Sequence, residues 1–205
     1  MTDDEIDLRD YVAVCPVTEG QVRQIIGLAD MSWDDPEATD AAMLSLGWSE
    51  PDDTVQLSEV QRVTDQGQFV FGEDGFFMPF AYFYTVGGEA SPDDPFASFP
   101  GWSLRRDVAR GDFEAVINNA VELFTASIGL PDHTVALRGS SSMTLGPITW
   151  RHAAWRRDKN VLIVGPKSDA MSYHQFEEGA VHIIPLAVDA PFPEGDELSR
   201  LLYNW

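Results

Sequence analysis

The run FFMPFAYFYTV, from Phe76 to Val86, is the longest apolar stretch of the chain. It is about half the ~20 residues a membrane-spanning helix requires, and it contains Pro79. Aromatic-rich and introduced by Gly75, it reads as a β-strand. Upstream, TVQLSEVQRV (Thr54–Val63) and QFVFG (Gln68–Gly72) flank the turn Asp65-Gln66-Gly67, so the three runs form an antiparallel meander. Pro79 has no N–H to give a ladder, which puts the last strand at a sheet edge or marks a bulge there.

Two helices precede this meander. In TEGQVRQIIGLADM, Thr18 is a candidate N-cap with Gln21 three residues on, and Val22, Ile25, Ile26 and Ala29 share one stripe. In WDDPEATDAAMLSLGW, Asp35 can cap, Pro36 suits the first helical position, Glu37 complements the helix dipole and Gly47 can close the end, giving a helix over about 36–46. The second half replays the order. DFEAVINNAVELFTASIG has Asp112 as the candidate cap and an apolar face through Phe113, Val116, Ile117, Ala120, Val121, Phe124 and Ile128, stopped by Gly129. Strands TVALRG, PITWRHAAWRR, VLIVGP and AVHIIPLAV follow, with a tight turn at Asp158-Lys159-Asn160, and a short helix from about Asp196 to Tyr203 finishes the chain.

Each half also begins its meander with nearly the same heptad, PDDTVQL at Pro51 and PDHTVAL at Pro131, shortly after a helix-ending glycine. Duplication of a helix-plus-meander unit would produce this. So would convergence, because helix-to-strand turns draw on few residue types. The expected fold is α+β: a flexible acidic lead-in (1–17), a first helix-plus-sheet half (18–90), a connecting loop (91–111) and a second half (112–205), packed as one unit.

Charge is the strongest compositional signal, with 34 acids against 13 bases and a net of −21. Residues 1–100 hold 21 acids and three bases, whereas residues 101–205 hold 13 acids and ten bases. Such a field repels nucleic acid and anionic membrane and draws a cationic partner in. A solubility bias would also give an acidic chain, but spread evenly. The acidic start MTDDEIDLRD lacks the basic and apolar regions of a signal peptide, so a cytoplasmic location is expected. Cys15 is the lone cysteine, which excludes an intramolecular disulfide and a thiolate zinc cluster.

No stretch spells out a reaction. There is no Walker loop, no G-x-G-x-x-G, and RGSSSM is not a nucleophile elbow. In HQFEEGAVH, His174, Glu177, Glu178 and His182 could supply metal ligands, but the spacing fits no recurrent zinc pattern, and no metal, cofactor or catalytic residue is assigned. On the strand TWRHAAWRR, Arg151, Trp155 and Arg157 share a face that could hold an anion or pair with the protein's own acidic half. The candidate partner-binding set is Trp33, Asp34, Asp35, Glu37 and Asp40 near one end of the second helix and Trp48, Glu50, Asp52 and Asp53 near the other. Rings amid carboxylates suit a hot spot against a cationic protein; equally, the two tryptophans could be core residues.

IIGLADMSWDDPEATDAAMLSLGW and ITWRHAAWRRDKNVLIVG resemble segments of acidic immunity-type proteins from actinobacterial polymorphic toxin systems. The resemblance implies a bacterial, cytoplasmic protein that neutralises a toxin by direct binding, and it transfers no functional residue. The leading expectation is therefore an acidic protein-binding module, not an enzyme, with a basic protein partner. The alternatives are a hydrolase or small-molecule-binding enzyme with a pocket near His152 and His174, and a chaperone or structural subunit of an assembly.

Overall fold

The computed structural model describes residues 8–51, 60–72, 75–87, 95–139, 148–168 and 176–203. In chain order the elements are β1 (Leu8–Val14), α1 (Glu19–Ala29), α2 (Pro36–Ser45), β2 (Val60–Val63), β3 (Phe69–Phe71), β4 (Phe76–Gly87), α3 (Pro95–Ser98), β5 (Ser103–Arg106), α4 (Arg110–Ile128), β6 (His133–Gly139), β7 (Ile148–Arg157), β8 (Asn160–Ser168), β9 (Phe176–Pro185) and α5 (Gly195–Tyr203). The fold is α+β, as expected.

The nine strands among the described residues form one antiparallel sheet of order β2-β3-β4-β9-β8-β7-β6, with β1 on the C-terminal part of β4 and β5 outside β1. The two expected meanders enter from opposite edges and meet through their last strands, β4 against β9, paired from Phe76↔Ile183 to Tyr84↔Phe176 with one shift of register between. A single sheet thus crosses the boundary between the two expected halves. The first heptad lies, after Pro51, outside the described residues, and the internal duplication is not established.

The local signals act as the residues dictate. Thr18 Oγ1 accepts from the Gln21 amide (3.3 Å) while Gln21 Oε1 accepts from the Thr18 amide (3.0 Å), a reciprocal capping box. Asp35 accepts from the Ala38 amide at 3.1 Å and Pro36 opens α2. At α4 the cap shifts: Ala109 is the N-cap, and Asp112, three residues inside, reaches back to accept from the Ala109 amide at 2.9 Å. Pro79 marks a bulge, with the β4–β9 register shifting between Pro79 and Ala81, so β4 is central and not an edge.

Two segments differ from their sequence reading. Residues 8–14, expected within a flexible acidic lead-in, form β1, paired with β4 from Leu8↔Gly87 to Val14↔Ala81. Tyr11, Val12 and Ala13 are fully buried, because Val12 faces the helices and Tyr11 and Ala13 face the opposite layer. The expected connecting loop contains α3 and the edge strand β5.

Helices α1 and α4 cover one face of the sheet, burying Val22, Ile25, Phe113, Ile117 and Phe124 against β4, β8 and β9. The other face is covered by α5 through Leu198 and Leu202 on the β6–β9 side, and by an aromatic layer of Tyr11, Phe69, Tyr82, Tyr84 and Trp102 on the β1–β4 side. Two glycine turns interlock beneath that layer. Gly67 (φ +100°) and Gly101 (φ +81°) approach so closely that a Cβ on Gly67 would sit 2.0 Å from the Pro100 carbonyl oxygen. Gly47 also has positive φ, +84°, but faces open space. Gly47→Ala should therefore cost about 1 kcal/mol, the left-handed backbone penalty alone. Gly67→Ala should cost at least about 2 kcal/mol more, because a backbone must also move. Urea unfolding of the two variants checks the difference.

Candidate protein-binding surface

The corner before α2 carries the acid. Asp34, Asp35 and Glu37 are exposed at the amino end of α2, where the helix dipole favours negative charge. Asp34 accepts from Ser32 Oγ at 2.8 Å and Asp35 caps the helix. Among the described residues none of the three is ion-paired with a base. Asp40 differs: its carboxylate holds Arg62 at 2.6 Å, and Arg62 lies 3.9 Å from Glu50. That pairing consumes the cation of β2 and leaves Glu50 exposed near the far end of α2. Arg62 thus bridges Glu50 and Asp40, which lies one helical turn beyond Glu37. Asp52 and Asp53 lie outside the described residues.

Both tryptophans of the candidate set are core residues. Trp33 is 8% exposed and Trp48 1%; their indole N–H groups donate to the Leu28 carbonyl (3.1 Å) and to Gln24 Oε1 (3.4 Å). Their rings pack against Phe76 at 6.1 and 6.0 Å and pin α2 to the sheet. Any apolar contact offered to a partner must then come from elsewhere. Among the described residues the exposed large hydrophobics are Leu44, Leu130 and Val188.

Val188 borders a groove of about 510 Å³ between the residues leading into α2 and the segment that follows β9; Trp33, Asp34, Lys159, Leu186 and Asp189 also line it. Its walls are held by side chains of the β7–β8 hairpin. Asn160 donates to the carbonyls of Ala29 and Met31, both at 2.7 Å, and Arg157 grips Asp30 in a bidentate pair at 2.8 and 2.6 Å. Arg156 donates to the carbonyls of Ala187 (2.9 Å) and Ala190 (2.6 Å). Of the two readings of the Arg–Trp strand face, pairing with the acidic half is the one seen for Arg157. Trp155 is buried, donating to the Gly129 carbonyl at 2.9 Å. No short motif signals the groove, because its walls come from positions more than 120 residues apart.

A second polar set lies inside the sheet. Glu177 and Glu178 are successive on β9 and point to opposite faces. Glu177, fully buried, ion-pairs with Arg110 of α4 and accepts from the Trp150 indole at 3.3 Å. Glu178 is 3.7 Å from Lys167 of β8, whose ammonium donates to the Leu202 carbonyl (3.1 Å) and sits 3.8 Å from the centre of the Phe77 ring. His182 stacks on the same ring. Among the described residues no group of three His, Cys, Asp or Glu side chains is placed to hold a metal ion, and His174 lies outside them. The buried Lys167 was missed in the sequence, although a lone lysine ending VLIVGPK was the available signal.

His152, 1% exposed, is wedged over Gly165 and donates from Nε2 to the Pro166 carbonyl at 2.8 Å. Burial pushes its pKa down to about 4. His182 is held well below the ordinary imidazole range, first by burial and then by Lys167 and His152. Burial likewise raises the Cys15 thiol to about 12, which makes it an inert core group. The unfolded chain takes up protons on these histidines near pH 6.5 while the folded chain refuses them. Stability is therefore unaffected by them above that pH and falls as pH drops from about 6.5 towards 4. Chemical unfolding at pH 7 and pH 4.5 should show this loss, and His152→Gln should show a smaller loss over the same interval.

No helix among the described residues is long and apolar enough to cross a membrane. Comparisons with protein-family models, with curated proteins and with solved structures gave no match, so no relative lends this surface a function.

Proposed function

We propose that the chain is an acidic protein-binding module that docks a basic partner, in the manner of an immunity protein occupying the cationic cleft of a toxin. The observation that carries this is the exposed trio Asp34, Asp35 and Glu37, none of them ion-paired among the described residues, on a corner clamped to the sheet by Trp33, Trp48 and Phe76. A rigid negative patch of this kind steers association, raising on-rates by roughly 10–10³-fold at low ionic strength. The guanidiniums of Arg62 and Arg157 are engaged by Asp40 and Asp30.

The hydrolase reading finds less support. A catalytic histidine needs a carboxylate orienting one ring nitrogen and a reactive group at the other. His152 instead spends Nε2 on a backbone carbonyl, and no described residue offers a hydrogen bond to Nδ1.

The test is to immobilise the full chain, capture a partner from the cytosol of the source cell, purify it and measure association rates. The triple reversal Asp34→Lys, Asp35→Lys, Glu37→Lys should slow association by about tenfold or more with little change in dissociation. An unchanged association rate would remove this corner from recognition.

A further inference from the structure

The groove beside the acidic corner combines two properties that solvent alone does not require. One wall is aliphatic and open, with Val188 62% exposed next to Leu186. The rim is negative. Asp34 and Asp189 line the groove against one exposed amine, Lys159. The nearby guanidiniums of Arg156 and Arg157 are already committed to the Ala187 and Ala190 carbonyls and to Asp30. The groove measures about 510 Å³ and opens to solvent. Asn160 and Arg157 hold one wall and Arg156 the other, so little ordering is needed on binding.

We infer that this groove is the specificity slot of the docking surface, and that it receives a segment of a basic partner protein carrying a lysine or arginine beside an aliphatic side chain. The cation lies between Asp34 and Asp189, and the aliphatic group covers Val188 and Leu186. This rests on the acidic-docking reading and adds to it a requirement for apolar contact. Charge alone would accept any polycation, whereas the Val188 wall discriminates among them.

Two peptides of equal charge separate these cases, one alternating lysine with leucine and one alternating lysine with serine. Each is titrated at low salt into the isotope-labelled full chain and followed by amide chemical shifts. The leucine peptide should bind about tenfold more tightly, with the largest shifts at Asp34, Lys159 and 186–189. Val188→Ser should abolish that advantage while leaving the serine peptide's affinity unchanged, and Asp34→Asn with Asp189→Asn should weaken both peptides. Equal affinities, or shifts centred on Glu37 and Glu50 instead, would overturn the slot and leave acidic docking standing. Absence of saturable binding by either peptide would overturn both.

Discussion

The antiparallel pairing of β4 with β9 is the constraint on which the rest of the molecule depends. Each strand ends a meander, and each meander alone would leave an unpaired central edge. Joined, they make one sheet long enough for α1 and α4 to bury a continuous face that includes Phe76, Phe80, Val181 and Ile183. The pairing tolerates Pro79 only because the ladder shifts register there; the Phe80 carbonyl then accepts from the Cys15 amide at 2.9 Å and admits β1. Gly179 sits at the same place because a Cβ would lie 2.9 Å from Ile117, so the bulge and the glycine together let α4 approach.

This junction also brings the two chemically different parts of the chain together. The second half supplies Asn160, Arg156 and Arg157 at the β7–β8 hairpin, and the first supplies Asp30, Trp33 and Asp34. Their contacts close the groove and neutralise Asp30, while Asp34, Asp35 and Glu37 stay in water. Burial has a different effect inside the sheet, where Glu177 and Lys167 are kept by charged or hydrogen-bonded partners and His152 is kept neutral. The acid that faces solvent and the polar groups that face the core therefore answer to different physics, and only the former is available to a partner.

Much of the fold was legible because short-range chemistry decides it. The Thr18–Gln21 box, the Asp35-Pro36 start of α2, the Gly47 and Gly129 endings and the tight turn between β7 and β8 are local signals, and each matches the structure. The strand β1 was hidden because the acids at the amino end dominate the composition, although Tyr11 to Val14 is an uninterrupted apolar run covered on both faces. Asp112 was one turn late as a cap, since Asp at the third helical position can satisfy the same amide from inside. Of the candidate site, Asp34, Asp35 and Glu37 could be placed at the amino end of α2 from the Asp35 cap and Pro36. The inward rotation of Trp33 and Trp48 could not, because it depends on Phe76, which lies 28 or more residues further along. The Val188 groove was invisible for the same reason.

The proposed function needs a negative corner held rigid for a positively charged protein. Its most direct measurement is the equilibrium affinity of the purified complex across a range of sodium chloride concentrations. Between 50 and 500 mM the dissociation constant should rise at least about tenfold, because exposed charge pairs are screened over a Debye length that shrinks across this range. A dissociation constant that stays flat over the same range would contradict the account.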